Sequence, residues 1–553
     1  MLMFTIGFHL FCWITFTGAS PLFLTPYIKN NTASEGRRLS SVDQSQFLNV
    51  TSYSGYITVD EEYKSHLFFW FFPVANANVS ETPLIIWLQG GPGGTSLLGT
   101  FLEIGPFGIN ESGTLQPRPS SWGVNHSLLF IDNPVETGLS FSETKHYSTN
   151  LDTCAEHLYK FLQQFLTVYP EVRAAPLFIA GESYGGRYVP AFAKKVYDNM
   201  ERDGERKINL QGLIMGNPLF NYADTANISQ IFYQWGLVDQ QGLRSVKDLQ
   251  ERYFAALKNN ASNAQELHDK LLDSLQDLSL HETLFNVLEY DPQLNLTAVT
   301  QYVNKKEFKE KVHGIEKEIL YLNGDVANSL RKDFLLNMDS AMTFLLEHYR
   351  ILIYCGQLDL VQPCVPNAEG RRRNWHWSKR SEFLNAHRIP IVMPPSEVAG
   401  YFKSGGGLTE VLISGAGHLV PIDKPREAQL IVTSFIKAEE PPSKPLQLDF
   451  NDIPNLDMDS PILNNSTQRP NNINNTSIKK PDTSSTTVSS TLGTNILKTV
   501  SSNPWNTVSW VFNCILIVGI IVCGVLYVKH KRRYRDYLLN DEDSLNNAML
   551  TMS

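Results

Sequence analysis

From Tyr53 to Ile436 the chain alternates short strand-like runs with helix-like stretches. The runs are Leu67-Phe68-Phe69-Trp70-Phe71-Phe72, Leu84-Ile85-Ile86-Trp87-Leu88, Leu128-Leu129-Phe130-Ile131, Leu177-Phe178-Ile179-Ala180, Ile351-Leu352-Ile353-Tyr354 and Glu410-Val411-Leu412-Ile413. Apolar runs this short, without polar alternation, read as strands buried on both faces. Strands alternating with helices predict an α/β class, a mostly parallel sheet with helices on both sides. Residues 240–338 break the rhythm. They are rich in Leu, Gln, Lys and Glu at helical spacing, as in Glu266-Leu267-His268-Asp269-Lys270-Leu271-Leu272, and predict an inserted helical cap. The core domain is then 45–239 with 339–437.

The flanks differ in composition. Residues 1–19 are apolar and end in Thr17-Gly18-Ala19, which suits a signal peptide cleaved after Ala19, although no basic residue precedes it. An uncleaved anchor is the alternative. Residues 20–44 form an N-terminal extension. Residues 438–507 are dominated by Pro, Asn, Ser and Thr, which cannot build a core and read as a flexible stalk. Val508 to Val528 is an apolar run whose 21 residues, at 1.5 Å each, match a bilayer core of about 30 Å. Lys529-His530-Lys531-Arg532-Arg533-Tyr534-Arg535 follows at once and places the 529–553 tail in the cytosol. Glycosylation sequons at Asn30, Asn49, Asn78, Asn110, Asn125, Asn227, Asn260, Asn295, Asn464, Asn465, Asn474 and Asn475 all precede that run. The expected topology is a single-pass type I membrane protein with a lumenal or extracellular domain, in the secretory pathway, the endosomal or lysosomal system, or at the cell surface. In the tail, Leu538-Leu539 is followed by Asp541, Glu542 and Asp543, the unusual order for a sorting signal, and a plain tail is the simpler reading.

Composition narrows the function. The 553 residues are 42% hydrophobic, enough for a sizeable core. The net charge of −9 and the lack of a basic stripe argue against nucleic acid as a partner. No His-Glu-x-x-His or Cys-x-x-Cys spacing points to a metal, and no cofactor is implied. Of six cysteines, only Cys154, Cys355 and Cys364 lie between the two flanking apolar runs. Cys355 and Cys364 are near enough to close a short loop, but the pairing is not fixed by sequence, and one cysteine remains over.

The run Leu177 to Ala180 leads into Gly181-Glu182-Ser183-Tyr184-Gly185-Gly186 and a helix-like stretch from Arg187 to Met200. Strand, Gly-x-Ser-x-Gly turn and helix make the nucleophile elbow of the α/β-hydrolase fold. A serine hydroxyl needs a base, and the base needs an orienting acid, which follow in the order acid then histidine. Asp359, in Cys355-Gly356-Gln357-Leu358-Asp359, and His418, in Gly415-Ala416-Gly417-His418-Leu419-Val420-Pro421, each follow a strand's C-terminal end, where ligands bind in open α/β sheets. An oxyanion hole requires two backbone N–H groups. Tyr184 supplies one, and the glycine-rich loop after Leu84–Leu88 supplies the other.

Four segments together, Trp87-Leu88-Gln89-Gly90-Gly91-Pro92-Gly93-Gly94, Gly181-Glu182-Ser183-Tyr184-Gly185-Gly186, Gly356-x-x-Asp359 and Gly417-His418-x-Val420-Pro421, resemble the signature blocks of the serine carboxypeptidases, nearest the vitellogenic carboxypeptidase-like branch. Ser54-Gly55-Tyr56, Asp132-Asn133-Pro134-Val135 and Ile214-Met215-Gly216-Asn217-Pro218 extend the likeness over residues 45–437. The resemblance implies release of C-terminal residues from peptides and proteins. It assigns Ser183 as nucleophile, His418 as base and then acid, and Asp359 as its partner. Gly91 and Tyr184 become oxyanion donors. Gln89, Gly90, Glu103 and Glu182 become the grip on the substrate's terminal carboxylate, with the two glutamates sharing a proton. A shared proton implies activity favoured at acidic pH.

This chain departs from the family at Gln89, where relatives carry Asn, at Gly94, where they carry Cys, and at Glu136, where Gly is common. The longer amide questions the fit to the substrate terminus. Arg371-Arg372-Arg373 and Lys379-Arg380 read as a solvated basic loop, with a processing site as the alternative. Two rival functions use the same scaffold: an acyltransferase in which an alcohol replaces water, and a silent receptor or adhesion domain. Survival of Ser183, Asp359 and His418 argues against the second. The family includes dimers, and oligomeric state is left open.

Overall fold

The computed structural model describes residues 21–200, 207–225, 227–289, 296–393 and 397–437, and the backbone of Leu446–Gln447. Ten strands build most of one twisted sheet: β1 Tyr53–Asp60, β2 Ser65–Phe72, β3 Leu84–Leu88, β4 Ser127–Ile131, β5 Leu177–Glu182, β6 Leu210–Gly216, β7 Arg350–Gly356, β8 Ile389–Met393, β9 Glu397–Gly405 and β10 Leu408–Ile413. Their order is β1-β2-β4-β3-β5-β6-β7-β10-β9-β8. The six strands from β4 to β10 in that order are parallel. The strands flanking this centre pair antiparallel, and Leu446–Gln447 adds a short parallel pairing outside β8, so the expected mostly parallel sheet has antiparallel flanks. The reason is local. A four-residue polar turn joins β1 to β2, and Gly406 and Gly407, at φ 56° and 88°, fold β9 back on β10. Tight turns of this kind connect only antiparallel neighbours.

Every residue of β2, β3, β4 and β5 is buried, as unalternating apolar runs require. Alternate side chains feed two cores. Phe69, Phe71, Ile86, Leu88, Leu129 and Ile179 pack on one face against the helices Leu151–Val168 (α1) and Gly185–Met200 (α2). Phe68, Trp70, Ile85, Trp87, Leu128 and Phe130 pack on the other, where Leu430, Ile431 and Phe435 of a C-terminal helix, Pro425–Lys437, cover the sheet. Asn150 caps α1, its Oδ1 accepting from Thr153 N at 2.8 Å, a bond of the kind worth about 1 kcal/mol.

Between β6 and β7 the described chain is mainly helical; its first part has a third core, while most buried residues from Ala298 onward pack into the two main ones. Phe232, Tyr253, Leu267, Leu271 and Leu275 meet there with Leu358 and Leu360, which flank Asp359. The 20–44 extension is not a loose tail, since Leu24 is buried in the main core and Phe23 bridges Tyr56. Cys355 and Cys364 form a disulfide, and Cys154 is a buried free thiol.

The basic cluster is a correction. Arg371, Arg372 and Arg373 lie in a helix, Cys364–Asn374, not in a solvated loop. Arg371 and Arg372 pair with Glu410, at 2.8 and 2.7 Å, and Arg373 with Asp224 at 3.7 Å. An i,i+1,i+2 charge run lacks amphipathic contrast, which hides a helix from pattern reading. Of the sequons, Asn30, Asn49, Asn78, Asn227 and Asn260 are exposed and Asn110 is half-buried. Asn125 presents a buried Nδ2, the atom to which a glycan attaches, and this counts against its use. Asn295, Asn464, Asn465, Asn474 and Asn475 lie outside the described residues, as do the 1–19 and 508–528 apolar runs and the tail. No helix among the described residues is long and apolar enough to cross a membrane.

Candidate active site

β5 ends at Glu182 and α2 begins at Gly185, leaving Ser183 at the bend with φ 57°. That left-handed conformation is rare for a residue with a Cβ and costs on the order of 1 kcal/mol. The surroundings hold it: Ser183 N donates to Gly216 O at 2.9 Å, and Ser183 O accepts from Leu219 N at 2.8 Å. Gly186 has to be glycine, because a Cβ there would come within 2.6 Å of Pro218 Cβ.

Asp359 and His418 follow β7 and β10, so both sit on the same sheet edge as Ser183. His418 Nδ1 lies 2.7 Å from Asp359 Oδ2, with both residues buried. This fixes Nδ1 as the protonated nitrogen and leaves Nε2 as the basic one. Asp359 Oδ1 accepts from Val361 N at 2.7 Å and Gln362 N at 2.9 Å. Asn217 Nδ2 donates to Asp359 Oδ2, and Asn217 Oδ1 accepts from Gly356 N at 3.2 Å. These are all donors toward a carboxylate. Sequence reasoning quoted the segment of Asn217 without giving it a role; its place at the end of β6, between the elbow and Asp359, was the available signal.

A cap segment joins the two loops that carry these residues. Val287 N donates to Leu358 O and Leu360 N to Leu284 O, at 2.9 and 3.2 Å. His418 N donates to Phe285 O at 2.6 Å, and the two rings stack at 5.3 Å. Asp423 Oδ2 accepts from both Gly417 N, at 2.6 Å, and Asn286 Nδ2, at 3.2 Å.

The glycine-rich loop lies against the elbow. A Cβ on Gly90 would stand 2.6 Å from Glu182 O, 2.7 Å from Ser183 Cβ and 2.8 Å from Tyr184 N. Only glycine permits this approach, which lays the loop at Gly90 against Ser183 and Tyr184. The far end of the loop is fixed by Asp132 Oδ1, which accepts from Thr95 Oγ1 at 2.7 Å and Ser96 N at 2.8 Å.

Glu103 is no surface acid: it is 2% exposed, and Glu182 is fully buried. Gln89 Nε2 donates to Glu103 Oε1 and Glu182 Oε2, both at 3.1 Å. Trp87 Nε1 holds the other end of the amide, donating to Gln89 Oε1 at 2.8 Å. As two carboxylates the pair would leave Glu103 Oε2 and Glu182 Oε1 buried without a donor. A proton on Glu182, given to Glu103 in a hydrogen bond, resolves this. Burial, together with the adjacent Glu103 charge, holds the Glu182 carboxyl well above the usual range. Burial also lifts Glu103 to about 7, against the opposing pull of the bonds from Glu182 and Gln89. The longer amide of Gln89 therefore bridges both glutamates.

Comparison with known proteins places this geometry. A family model described as serine carboxypeptidase matches residues 42–438. The chain is similar to the venom serine carboxypeptidase of Apis mellifera, 35% identical over 426 residues, which cover 75% of this chain and 90% of that one. It is similar to the vitellogenic carboxypeptidase of Aedes aegypti, 36% identical over 428 residues, 75% and 89% of the two chains. The probable serine carboxypeptidase CPVL of Homo sapiens is 34% identical over 432 residues, again 75% and 89%. Among solved structures, KEX1(delta)P, a prohormone-processing carboxypeptidase from Saccharomyces cerevisiae, superposes with a TM-score of 0.65, covering 72% of this chain and 96% of that one. Its 22% identity speaks to the fold alone.

Proposed function

The chain belongs to the serine carboxypeptidase family, and from that premise we propose how its residues release C-terminal amino acids from peptides. Ser183 Oγ attacks the carbonyl of the last peptide bond while His418 Nε2 takes its proton. Asp359, held by Asn217 and two backbone N–H groups, keeps the imidazole oriented and stabilises its charged form. The N–H groups of Gly91 and Tyr184 face the developing oxyanion. His418 then protonates the leaving amino group, and a water activated by the same nitrogen hydrolyses the acyl-enzyme.

The observation that carries exopeptidase action is the buried Gln89–Glu103–Glu182 cluster, one residue from the nucleophile. On substrate binding, Gln89 Nε2 and the protonated glutamate would each exchange a bond within the cluster for the terminal carboxylate, beside the Gly90 N–H. With both carboxyls ionised the same cluster would repel that group. The test is hydrolysis of an N-blocked dipeptide against its C-terminal amide, with Ser183→Ala as control. Release of the free C-terminal residue from the acid and little from the amide supports the reading. Equal rates on both, or an Ser183→Ala protein as fast as its parent, would sink it.

Residues 45–239 and 339–437 form the catalytic domain in this reading, and 240–338 the cap. The lumenal topology rests on the 508–528 run, the basic residues behind it and the one-sided sequons. A relative named for venom agrees with a secretory route. In sealed microsomes added protease should remove the 529–553 tail while leaving an endoglycosidase-sensitive ectodomain intact; a protected tail on a glycan-free chain would overturn it.

A further inference from the structure

We propose that Lys317 and Glu136 are positioning residues for the oxyanion loop. Their ion pair pins a strap, residues 317–323, that holds the Gly91–Gly94 backbone in register beside Ser183. The inference rests on the serine mechanism above and goes beyond it by assigning work to two residues outside the triad and the carboxylate grip.

Lys317 spends all three of its N–H donors on one turn. Its Nζ lies 3.2 Å from Glu136 Oε2, 3.2 Å from Glu136 O and 2.8 Å from Ser140 O. Glu136 is buried, and its Oε1 accepts from Ser142 N at 2.9 Å. It stands at φ 75°, where a residue with a Cβ is strained and glycine is not. A glutamate at such a position needs a compensating interaction, and the bonds to Lys317 and Ser142 supply it.

Six residues on, the strap meets the glycine loop. Thr95 N donates to Tyr321 O at 3.2 Å, and Asn323 N donates to Gly93 O at 3.0 Å. Leu322 forms a β-bridge with Gly94. Asn323 Nδ2 reaches back to Glu136 O at 2.9 Å, so one carbonyl anchors both ends of the strap. The fit is flush: a Cβ on Gly91 would come within 2.7 Å of Leu322 Cδ1, and one on Gly93 within 2.7 Å of Asn323 O.

Gly90, Gly91, Gly93 and Gly94 have no side chains with which to anchor themselves. Gly91 and Gly93 stand at φ 113° and 90°, in a region glycine leaves easily. The direction of the Gly91 N–H is therefore set by what lies against the loop. Asp132 secures the Thr95 end, Gly90 rests on the elbow and accepts from Gly94 N at 2.9 Å, and the strap holds the outer face from Gly91 to Thr95. An oxyanion exists only in the transition state, so a loosened loop lowers kcat and leaves ground-state binding alone.

The experiment compares Lys317→Met and Glu136→Gln with the parent on an N-blocked dipeptide. It adds affinities for a peptidyl boronate, which places a tetrahedral oxygen at the oxyanion position, and for the hydrolysed product. In Lys317→Met, kcat and boronate affinity should fall together by about 10- to 100-fold, with KM and product affinity within about two-fold. If that protein does not fold, Glu136→Gln keeps the backbone contacts and should show the same pattern with a smaller loss. Unchanged kcat in the folded variants overturns the proposal. So does a parallel loss of product affinity, which would make the strap a substrate wall. An inactive parent would instead sink the serine mechanism itself, so the two failures are distinguishable.

Discussion

The indole Nε1 of Trp87 donates to Gln89 Oε1 at 2.8 Å, and this one bond decides which end of the Gln89 amide faces the glutamates. An amide that could flip would offer the pair an acceptor where a donor is needed. Replacing Gln89 by Glu keeps the size, removes both donors and adds a third carboxyl. The expected outcome is a fall in kcat/KM of about 100-fold on a free C-terminal acid, consistent with about 3 kcal/mol of lost charge-assisted bonding. Steady-state kinetics on the acid substrate check this, and a rate within two-fold of the parent would contradict it.

Glu103 and Glu182 give the pH dependence a sign. Burial lifts Glu103 to about 7 and Glu182 well above its ordinary value. Glu103 gives up its own proton near 7, and the proton held on Glu182 is lost further to the alkaline side, so kcat/KM should decline as pH rises beyond that first step. In Glu182→Gln the donor no longer titrates, and the alkaline limb should move up or vanish. A parent profile with no alkaline decline, or one that Glu182→Gln leaves unchanged, would remove the shared proton from the mechanism.

The same shifts predict stability. Between the ordinary carboxyl value of 4.5 and about 7, the folded state holds protons that the unfolded chain has already released. Stability therefore falls as pH rises across that window. Buried His126 and His157, whose charged forms burial disfavours, push the whole protein the other way, so the comparison carries the prediction: between pH 5 and pH 7.5 the Tm of Glu182→Gln should fall less, or rise more, than that of its parent. An equal pH response of Tm in parent and Glu182→Gln runs against the assignment.

Asn217 supports Asp359 from the side that the backbone donors do not cover. Asn217→Ala should leave the carboxylate its two backbone donors and His418, and lower kcat by about ten-fold. Asp359→Asn puts the wrong tautomer on His418 and should cost about 10³- to 10⁴-fold. Comparing the two kcat values at saturating substrate tests the ranking, which reverses if Asn217 rather than Asp359 orients the ring.

The Cys355–Cys364 disulfide closes the turn that carries Asp359. A loop this short is worth about 2–3 kcal/mol in the chain-entropy account. The Cys355→Ala, Cys364→Ala double variant should unfold earlier in urea by that amount and also lose kcat, since Asp359 is inside the loop. Lower stability with an unchanged kcat would confine the bond to stability.

Reading the chain recovered most of the central sheet because β2, β3, β4, β5, β7 and β10 announce themselves as apolar runs, whereas β6, central as well, was missed because Gln211 and Gly212 interrupt its apolar run. β1, β8 and β9 mix polar and apolar positions at the edges, where one face meets less of the core, and they escaped. The Asp359 and His418 loops were legible because glycines and strand ends mark them. Asn217 and Lys317 were not, since a lone amide or lysine gains meaning only from partners distant in sequence. Glu136 was visible as a departure from the family, yet its reason lay 181 residues away at Lys317. The helix of Arg371–Arg373 was missed because its charges face partners that the run itself does not name.

The cap segment around Phe285 holds the Asp359 turn with one set of backbone bonds and the His418 turn with another. A helical insertion is often treated as an exchangeable module, to be swapped when a new specificity is wanted. Here the module also serves as a jig for the reacting groups. Cap exchange within this scaffold should therefore preserve chemistry only when residues 284–287 travel with the catalytic loops rather than with the donor cap. Inheritance of specificity and inheritance of activity are tied to the same four residues.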